Sequence, residues 1–378
     1  MSGINSEHTI YLKVLTPVHI GGAQEKNLQE GLDYIQFGNG STWQINWEKV
    51  YQIYNADDVA SAIINDSIKK LIENELEDVA FEIDQTFGDT REIKAFIRDG
   101  LGRVYIPGSS IKGAMKNWCH AAIENELKIG QSQNLLGSFD SDIFRFIEPS
   151  DCYMNEEIAL YPTKTFNLRG ENSNWKGGWK HSRQRNNTEN FSDRGFVTDY
   201  ECFCPEDIGS FNLRLRNQLS NNTIEKLFFK NNKAKKSYEL IFKNDVLNNL
   251  FRLINGQTSK HIEKELKFFE YFKEAQYSDD LIRTYKNLKQ TSKNLKLGQC
   301  LLRLSAGSGF HGITGDYQFE DHTETGIWSE EDAKKYRLSK KQAKDYVGQY
   351  MKFKSRKIAF TANDMYPMGY VLLSTKPF

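Results

Sequence analysis

The sequence predicts an α+β protein with antiparallel sheets. Three observations favour this class: short runs with the two-residue alternation of strands occur towards both ends of the chain, helical periodicity fills the middle, and the two kinds of element interleave irregularly. A parallel, doubly wound sheet would require a regular strand–helix cadence, which is absent. At 378 residues, the chain is long enough for two domains with their own cores.

Composition limits the possible functions. The 50 basic and 50 acidic residues give a formal net charge of zero, so a site for a polyanion has to be a local patch. The 5 cysteines are scattered and odd in number, which favours reduced thiols, and Cys202-x-Cys204 lacks the second ligand pair of a structural zinc site. With no apolar run of about 18 residues and no leader-like start, we expect a cytoplasmic protein that does not enter a membrane.

The first elements are strands. Residues 9–15 alternate as a half-buried strand does, and Thr16-Pro17 ends the run. The segment Val18-His19-Ile20-Gly21-Gly22 follows, in which a strand end meets a flexible glycine pair. Its histidine has two interpretations, a buried hydrogen-bonded ring or an imidazole that faces an RNA backbone or base.

The next stretch combines a hairpin with helices. Residues 32–35 and 43–45 flank Gly38-Asn39-Gly40, which is a strong hairpin signal. Helical spacing of apolar residues covers 57–78, and 80–83 with 92–97 are predicted to be a pair of strands.

The segment Val104–Lys116 predicts a strand, a Pro-Gly turn and a helix that starts at Ser109 or Ser110 and continues to about Leu127. Either serine could cap the first turn, and Lys112 adds a positive charge there. Such a helix start can bind a phosphate, although an ordinary capped helix explains the pattern equally well. Gly108 and Gly113 have P-loop spacing, but Ala114-Met115 replace the required Lys-Ser/Thr pair, which argues against a nucleoside triphosphatase.

Residues 161–196 are rich in cations and aromatic rings. The cations are Lys164, Arg169, Lys176, Lys180, Arg183, Arg185 and Arg194, and the rings among them are Phe166, Trp175, Trp179, Phe191 and Phe196. Cations neutralise phosphates and exposed rings stack on unpaired bases, so we interpret the segment as an RNA contact. The alternative is a surface loop whose tryptophans fold back onto the core.

The C-terminal half begins with helices at about 223–297, and their lysines fit a solvated face. A strand at 298–304 leads to Gly307-Ser308-Gly309-Phe310-His311-Gly312, which matches the dinucleotide fingerprint. Because Gly315 breaks the chain where that motif needs a helix, we reject dinucleotide binding. A charged helix at 329–350 and strands at 356–360 and 368–373 complete the chain.

Four pieces of the sequence together resemble the RAMP superfamily of CRISPR proteins. These pieces are Leu15-Thr16-Pro17-Val18-His19-Ile20-Gly21-Gly22, Tyr105-Ile106-Pro107-Gly108-Ser109-Ser110-Ile111-Lys112-Gly113, the Gly-Ser-Gly-Phe loop at 307–310, and Pro367-Met368-Gly369-Tyr370. The length, Asp33-Tyr34-Ile35 and the helical middle are most similar to one kind of member, the type III-A (Csm) effector-complex subunit that caps the crRNA filament at the guide's 3′ portion.

The resemblance implies two ferredoxin-like, RRM-related modules whose glycine-rich loops hold crRNA backbone. The expected domains are residues 1–160, a basic aromatic RNA-contacting segment at 161–200, and residues 201–378 with the helical insertion. The expected partners are crRNA, target RNA and the other Csm subunits, chiefly the repeating backbone RAMP subunit, and no cofactor is expected. The implied RNA-binding residues are His19, Gly21, Gly22, Ser109, Ser110, Lys112, Ser308, Gly309 and Phe310, to which the basic segment adds Arg169, Lys180, Arg183 and Arg185.

The alternative is an endoribonuclease. Asp33 lies close to where the repeating subunit of such complexes carries an RNA-cutting aspartate, and a carboxylate there could hold a divalent metal or orient a 2′-hydroxyl. Its strand-like neighbours favour instead a polar residue at a strand edge. Processing of crRNA precursor would call on an imidazole, with His19, His311 and His322 as candidates. We expect RNA binding without catalysis.

Overall fold

The computed structural model describes residues 5–22, 27–37, 41–83, 92–127, 135–138, 141–155, 158–171, 174–181, 187–188, 190–193, 195–216, 221–228, 231–304, 330 and 355–378. The strands are β1 Asn5–Val14, β2 Leu28–Gln29, β3 Tyr34–Gln36, β4 Thr42–Ile45, β5 Ala80–Ile83, β6 Glu92–Lys94, β7 Ile147–Pro149, β8 Tyr153–Met154, β9 Ala159–Glu171, β10 Asn174–Lys180, β11 Asn187–Thr188, β12 Val197–Cys202, β13 Ile208–Arg216, β14 Gln299–Arg303, β15 Arg356–Phe360, β16 Met365–Pro367 and β17 Tyr370–Ser374. The α-helices are α1 Trp47–Ile53, α2 Ala56–Ile64, α3 Ile68–Ile72, α4 Leu76–Val79, α5 Gly108–Leu127, α6 Asn221–Phe228, α7 Asn232–Phe242, α8 Val246–Tyr271 and α9 Ser278–Lys293, with short 3-10 helices at Glu73–Glu75 and Ile143–Phe146.

The first sheet has the strand order β14–β17–β1–β13–β7, with β8 also on β13. All of its strand pairs are antiparallel. Along the chain, α5 lies between β1 and β7, and the helices α6–α9 lie between β13 and β14. The order β17–β1–β13–β7 with these crossovers is that of a ferredoxin-like module, so the predicted α+β class with antiparallel sheets is confirmed.

Strand alternation builds the core of this sheet. Ile10, Leu12 and Val14 of β1 are fully buried, and Leu213 and Leu215 of the neighbouring β13 are buried in the same cluster. Residues of α5 cover this apolar face, which accounts for the two-residue period of the strands. Since β1 lies between β13 and β17, one sheet joins strands from both predicted domains, and the predicted boundaries at 160 and 200 stay predictions.

The second sheet is organised around β9. This long strand pairs with β12 over its first half, with β10 over its second half and with β15 at its centre, all antiparallel. β6 joins β12 in a parallel pair, and β2 pairs with β6. The predicted pairing of 80–83 with 92–97 is therefore wrong: β5 pairs with β4 instead. The reason is tertiary, since Ile93 of β6 is buried against Tyr34 and Leu160.

Residues 34–83 form a small unit with its own core. The predicted hairpin is confirmed by the register of β3 and β4, which sets Tyr34 opposite Gln44, and β5 completes a three-stranded sheet. Helices α1 and α2 begin after Asn46 and Asn55, whose side chains accept backbone N–H groups of the first turns. The apolar residues that α1–α4 and the sheet bury together are Ile35, Ile45, Val50, Val59, Ala62, Ile68, Ile72 and Val79.

The helices α6–α9 occupy the stretch predicted to be helical. The longest, α8, begins after Asp245, whose carboxylate accepts the Asn248 N–H. α8 is central in the fold because it contacts α5, α9 and β14. None of the described helices has the length and apolar character needed to cross a membrane.

A buried polar network joins α8 to the two sheets. Glu265 of α8 accepts hydrogen bonds from Arg356 of β15 at 3.0 and 2.9 Å, and the two side chains are only 4% and 5% exposed. Arg303 of β14 donates to His261 Nε2 of α8 at 2.9 Å and to the Met368 carbonyl at 3.0 Å. Because removing these charges from water is costly, the network is stable only when every partner is in place.

Candidate nucleic-acid interface

The first glycine segment, residues 18–22, lies between two parts of the chain. Val18 forms a bridge with Phe203, and Gly21 forms one with Phe96. The Ile20 carbonyl accepts the Ile97 N–H at 2.9 Å. Gly21 itself is exposed, so the segment presents backbone at the surface.

His19 lies beneath this segment. The ring is 2% exposed and packs edge-on against Phe96 and Tyr200, with Nδ1 2.8 Å from the Glu201 carbonyl. Burial lowers the pKa of His19 to about 4, so the imidazole is neutral and donates through Nδ1–H to that carbonyl. This is the buried-ring interpretation, in which His19 holds the glycine segment in place from below.

A buried ion pair fixes the neighbouring strand. Glu201 is fully buried and accepts two hydrogen bonds from Arg98, both at 2.7 Å, together with the Phe96 N–H at 2.6 Å. Arg98 is 26% exposed and thus connects the buried carboxylate to the surface. The pair fixes residues 96–98 against which the glycine segment lies.

Two lysines that the sequence analysis missed lie next to this segment. Lys357 of β15 donates to the Tyr200 hydroxyl at 2.7 Å, and its Nζ lies 5.1 Å from the centroid of that ring. Lys94 of β6 pairs with Tyr200 of β12, and the carbonyl of the next residue, Ala95, accepts the Gly22 N–H at 3.4 Å. Burial is the main cause of the lowered pKa of His19, and the positive charges of Lys357 and Lys94 add to it. Only the strand pairing in the second sheet brings β6 and β15 to the glycine segment, so no local sequence signal could have identified them.

The closing motif meets the first motif in space. The Pro17 carbonyl accepts the Gly369 N–H at 2.9 Å, and Thr16 Oγ1 accepts the Tyr370 N–H at 2.9 Å. Gly369 has φ +97°, and a Cβ there would lie 2.1 Å from the Leu304 carbonyl oxygen, so only glycine fits. The predicted loop residues Ser308, Gly309 and Phe310, and also His311 and His322, lie outside the described residues.

The second motif forms the predicted helix, but the predicted serine cap is wrong. α5 begins at Gly108, whose N–H donates to the Asp151 carboxylate at 2.8 Å. Ser109 and Ser110 therefore lie in the first turn, the former exposed and the latter half-buried. Gly108 is required by packing, because a Cβ there would lie 2.2 Å from the Pro149 carbonyl oxygen.

Lys112 lies within a mixed cluster of charges. Burial lowers its pKa, the carboxylates of Asp142 and Glu148 oppose this shift, and Lys116 and Arg216 add to it. The acids are themselves paired, Asp142 with Lys116 and Glu148 with Arg216, each at 2.6 Å. Lys112 is half-buried, so its charge reaches solvent on the flank of α5.

Some of the large aromatic rings in the described part of the basic aromatic segment are buried. Phe166 of β9 and Trp179 of β10 are fully buried, and Trp179 Nε1 donates to the Gln276 carbonyl at 2.8 Å. The prediction that these rings stack on bases is wrong, since Phe166 packs against Phe268 and Phe269 of α8. Trp179 packs edge-on against the Phe166 and Phe191 rings in the same core. Lys180 is half-buried and lies over the Phe196 ring at 4.6 Å. Arg183, Arg185 and the side chain of Arg169 lie outside the described part of the chain.

Asp33 lies in a turn before β3. Its Oδ2 accepts the Gln29 N–H at 2.9 Å, and its own N–H donates to the Gln29 carbonyl at 2.8 Å. These bonds give the carboxylate a local structural role. Within the described ranges, no group of three or more His, Cys, Asp or Glu side chains could hold a metal ion. Cleavage at Asp33 stays a prediction.

Comparison with known proteins identifies the family of this chain. The family model of the RAMP superfamily matches residues 11–316. A chain of the cryo-EM structure of a Csm–crRNA–target RNA ternary complex from a type III-A CRISPR-Cas system is 19% identical, with a TM-score of 0.61, covering 97% of this chain and 100% of that one. The crystal structure of T. onnurineus Csm5 is 15% identical, also with a TM-score of 0.61, covering 96% and 99%. No curated protein matched the sequence.

Proposed function

Because the chain belongs to the RAMP superfamily, we propose that it is a crRNA-binding subunit of a type III-A (Csm) effector complex. In this role it caps the filament at the guide's 3′ region and supports assembly and crRNA maturation in antiviral defence in the cytoplasm. Its partners are crRNA, target RNA and the repeating backbone RAMP subunit. Similarity to the two solved structures over nearly the whole chain supports the proposal.

The observation that carries the proposal is the surface at the first glycine segment. Exposed backbone at Gly21 lies close to Lys94, because the adjacent Ala95 carbonyl accepts the Gly22 N–H, and close to Lys357, which donates to the hydroxyl of Tyr200, whose ring packs on His19. The Glu201–Arg98 pair and His19 support this segment from below. In a chain of zero net charge, a local patch of this kind is what a polyanion requires. Contacts of backbone amides and lysines with phosphates carry no base information, so binding should be largely independent of sequence.

The test is RNA binding across a series of salt concentrations. We would measure the fluorescence polarisation of a labelled single-stranded RNA with the wild-type protein and with the Lys94→Met, Lys357→Met double variant. Losing two phosphate contacts should weaken binding and reduce the slope of log K against log salt by about 1.4. The matched control, Lys273→Met with Lys286→Met, removes two exposed lysines of the helical region and should leave the slope unchanged.

Two outcomes would contradict the proposal. The wild-type protein could fail to bind RNA at low salt, alone and when purified with its complex. Equal losses in the two double variants would instead assign binding to general charge and not to the glycine segment.

A further inference from the structure

A hairpin that follows the first glycine segment in the sequence and precedes α5 carries planar side chains that contact one another. Residues 98–104 form the hairpin, with a bridge from Arg98 to Val104. The bridge between Ile106 and Cys152 places Tyr105 beside Tyr153 of β8. The two tyrosine rings stack, with centroids 5.6 Å apart and an interplanar angle of 24°. The Arg103 guanidinium lies over the Tyr153 ring, 4.9 Å from its centroid. We call these three residues the tyrosine–arginine stack.

One carboxylate orients the stack. Asp99 Oδ2 accepts hydrogen bonds from Arg103 Nε at 2.9 Å and from the Tyr153 hydroxyl at 3.2 Å. Its Oδ1 accepts the N–H groups of Leu101 and Arg103 at 2.9 and 3.0 Å, which holds the turn. Because Asp99 already closes the turn through backbone groups, the turn does not depend on the planar side chains that stand on it.

These planar groups face water. Arg103 is 60% exposed and Tyr153 is 41% exposed, whereas large aromatic side chains bury their rings when they serve only as core. The ion pair with Asp99 offsets the charge of Arg103, so the guanidinium is a poor phosphate ligand, but its plane remains available for stacking. Side chains that are already fixed lose little entropy when a ligand stacks on them.

We propose that the tyrosine–arginine stack binds an unpaired nucleobase of single-stranded RNA. Aromatic rings and arginine planes are the groups on which unpaired bases stack, and such stacking tolerates any base. This inference rests on the proposed RNA-binding function and assigns it a separate subsite, which contacts a base where the glycine segment contacts backbone.

The test compares Tyr153→Leu with wild type on single-stranded RNA and on the same RNA annealed to its complement. Tyr153→Leu should weaken single-strand binding about tenfold, because it keeps apolar bulk but loses the ring, and it should leave duplex binding unchanged. The salt slope should also stay unchanged, since stacking releases no counterions. Tyr153→Phe keeps the ring and should lose less. The control Tyr271→Leu removes a tyrosine that is 74% exposed on α8 and should have no effect.

A base analogue identifies the RNA strand. In the reconstituted complex, 2-aminopurine placed in the guide's 3′ end or in the target should be quenched at the position that stacks, and Tyr153→Leu should relieve that quenching. If Tyr153→Leu does not fold, as judged by its melting temperature, Arg103→Met replaces it, because that side chain is largely in solvent.

The outcomes separate this inference from the proposed function. If wild type binds RNA and neither Tyr153→Leu nor Arg103→Met weakens binding, the stack is not a base site while RNA binding stands. A loss that comes with a shallower salt slope would mean a phosphate contact and would overturn stacking. Loss of a protein subunit from the complex with unchanged RNA binding would assign the stack to a protein partner. If wild type binds no RNA, the proposed function itself fails.

Discussion

Glu201 and Glu265 are buried carboxylates in two different regions, and each accepts two hydrogen bonds from one arginine. A buried histidine lies near each carboxylate: His19 is hydrogen-bonded to the Glu201 carbonyl, and His261 lies on α8 one turn before Glu265. They differ in where the arginine lies. Arg98 is 26% exposed beside the glycine segment, whereas Arg356 is 5% exposed between α8 and the second sheet.

The difference shows what each pair does. A pair with one partner at the surface fixes the geometry of that surface, and water can solvate the arginine if the pair is broken. A pair with both partners buried holds elements together, and breaking it leaves a charge that nothing compensates. We therefore assign Glu201 to the candidate interface and Glu265 to the stability of the fold.

The largest expected effect comes from Glu265→Gln. The change keeps the shape of the side chain but leaves the buried Arg356 without its counter-charge, so the free energy of unfolding should fall by about 3–5 kcal/mol. Urea unfolding monitored by circular dichroism measures this. Glu263→Gln is the matched control two residues away on α8, where an exposed pair with Lys289 should be worth less than about 1 kcal/mol. Similar losses in the free energy of unfolding for Glu265→Gln and Glu263→Gln would contradict the assignment of Glu265 to the stability of the fold.

Glu201→Gln should have a smaller effect on stability and an additional effect on RNA binding. Arg98 can turn to solvent, so we expect a loss of about 2–3 kcal/mol in the free energy of unfolding. RNA affinity should fall as residues 96–98 loosen beneath the glycine segment, whereas folded Glu265→Gln protein should bind RNA as wild type does. Polarisation titrations on both variants test this. Equal RNA affinities in the two variants would mean that Glu201 has no specific role in the candidate interface.

The smallest effect is a dependence on pH. Burial holds the pKa of His19 at about 4, below its ordinary value of 6.5, so the unfolded chain binds more protons between these values. The stability from neutral His19 is complete above pH 6.5 and is lost as the pH falls towards 4. From pH 7 to pH 5 this amounts to about 2 kcal/mol.

His19→Gln tests this dependence, because glutamine keeps a donor for the Glu201 carbonyl but does not titrate. The unfolding free energy of the variant should fall less than that of wild type between pH 7 and pH 5. An identical fall in both proteins would mean that other groups set the acid sensitivity and that His19 is not held neutral.

Local sequence patterns determined much of this protein. The alternation in β1, the Gly38-Asn39-Gly40 signal before β4 and the helical spacing in α8 were each sufficient to predict their element. The segment Val104–Lys116 predicted the helix α5, but the predicted Pro-Gly turn is wrong, because Gly108 is the first residue of the helix. Backbone propensity and a repeating apolar face act over a few residues, which is why a single sequence reveals them. The glycine motifs also supplied the family resemblance.

Tertiary structure alone decided which segments meet. Asp151 binds the helix start that was predicted for serine, and Phe166 and Trp179 are buried although their basic neighbours suggested exposure. Lys357, near the other end of the chain, donates to Tyr200, whose ring packs on His19 of the glycine segment. Pairing of strands distant in sequence and burial against another element are determined by the whole fold. A segment rich in cations and aromatic rings has the same sequence whether its rings face solvent or the core. Only the packing in the folded protein shows which of the two arrangements is present.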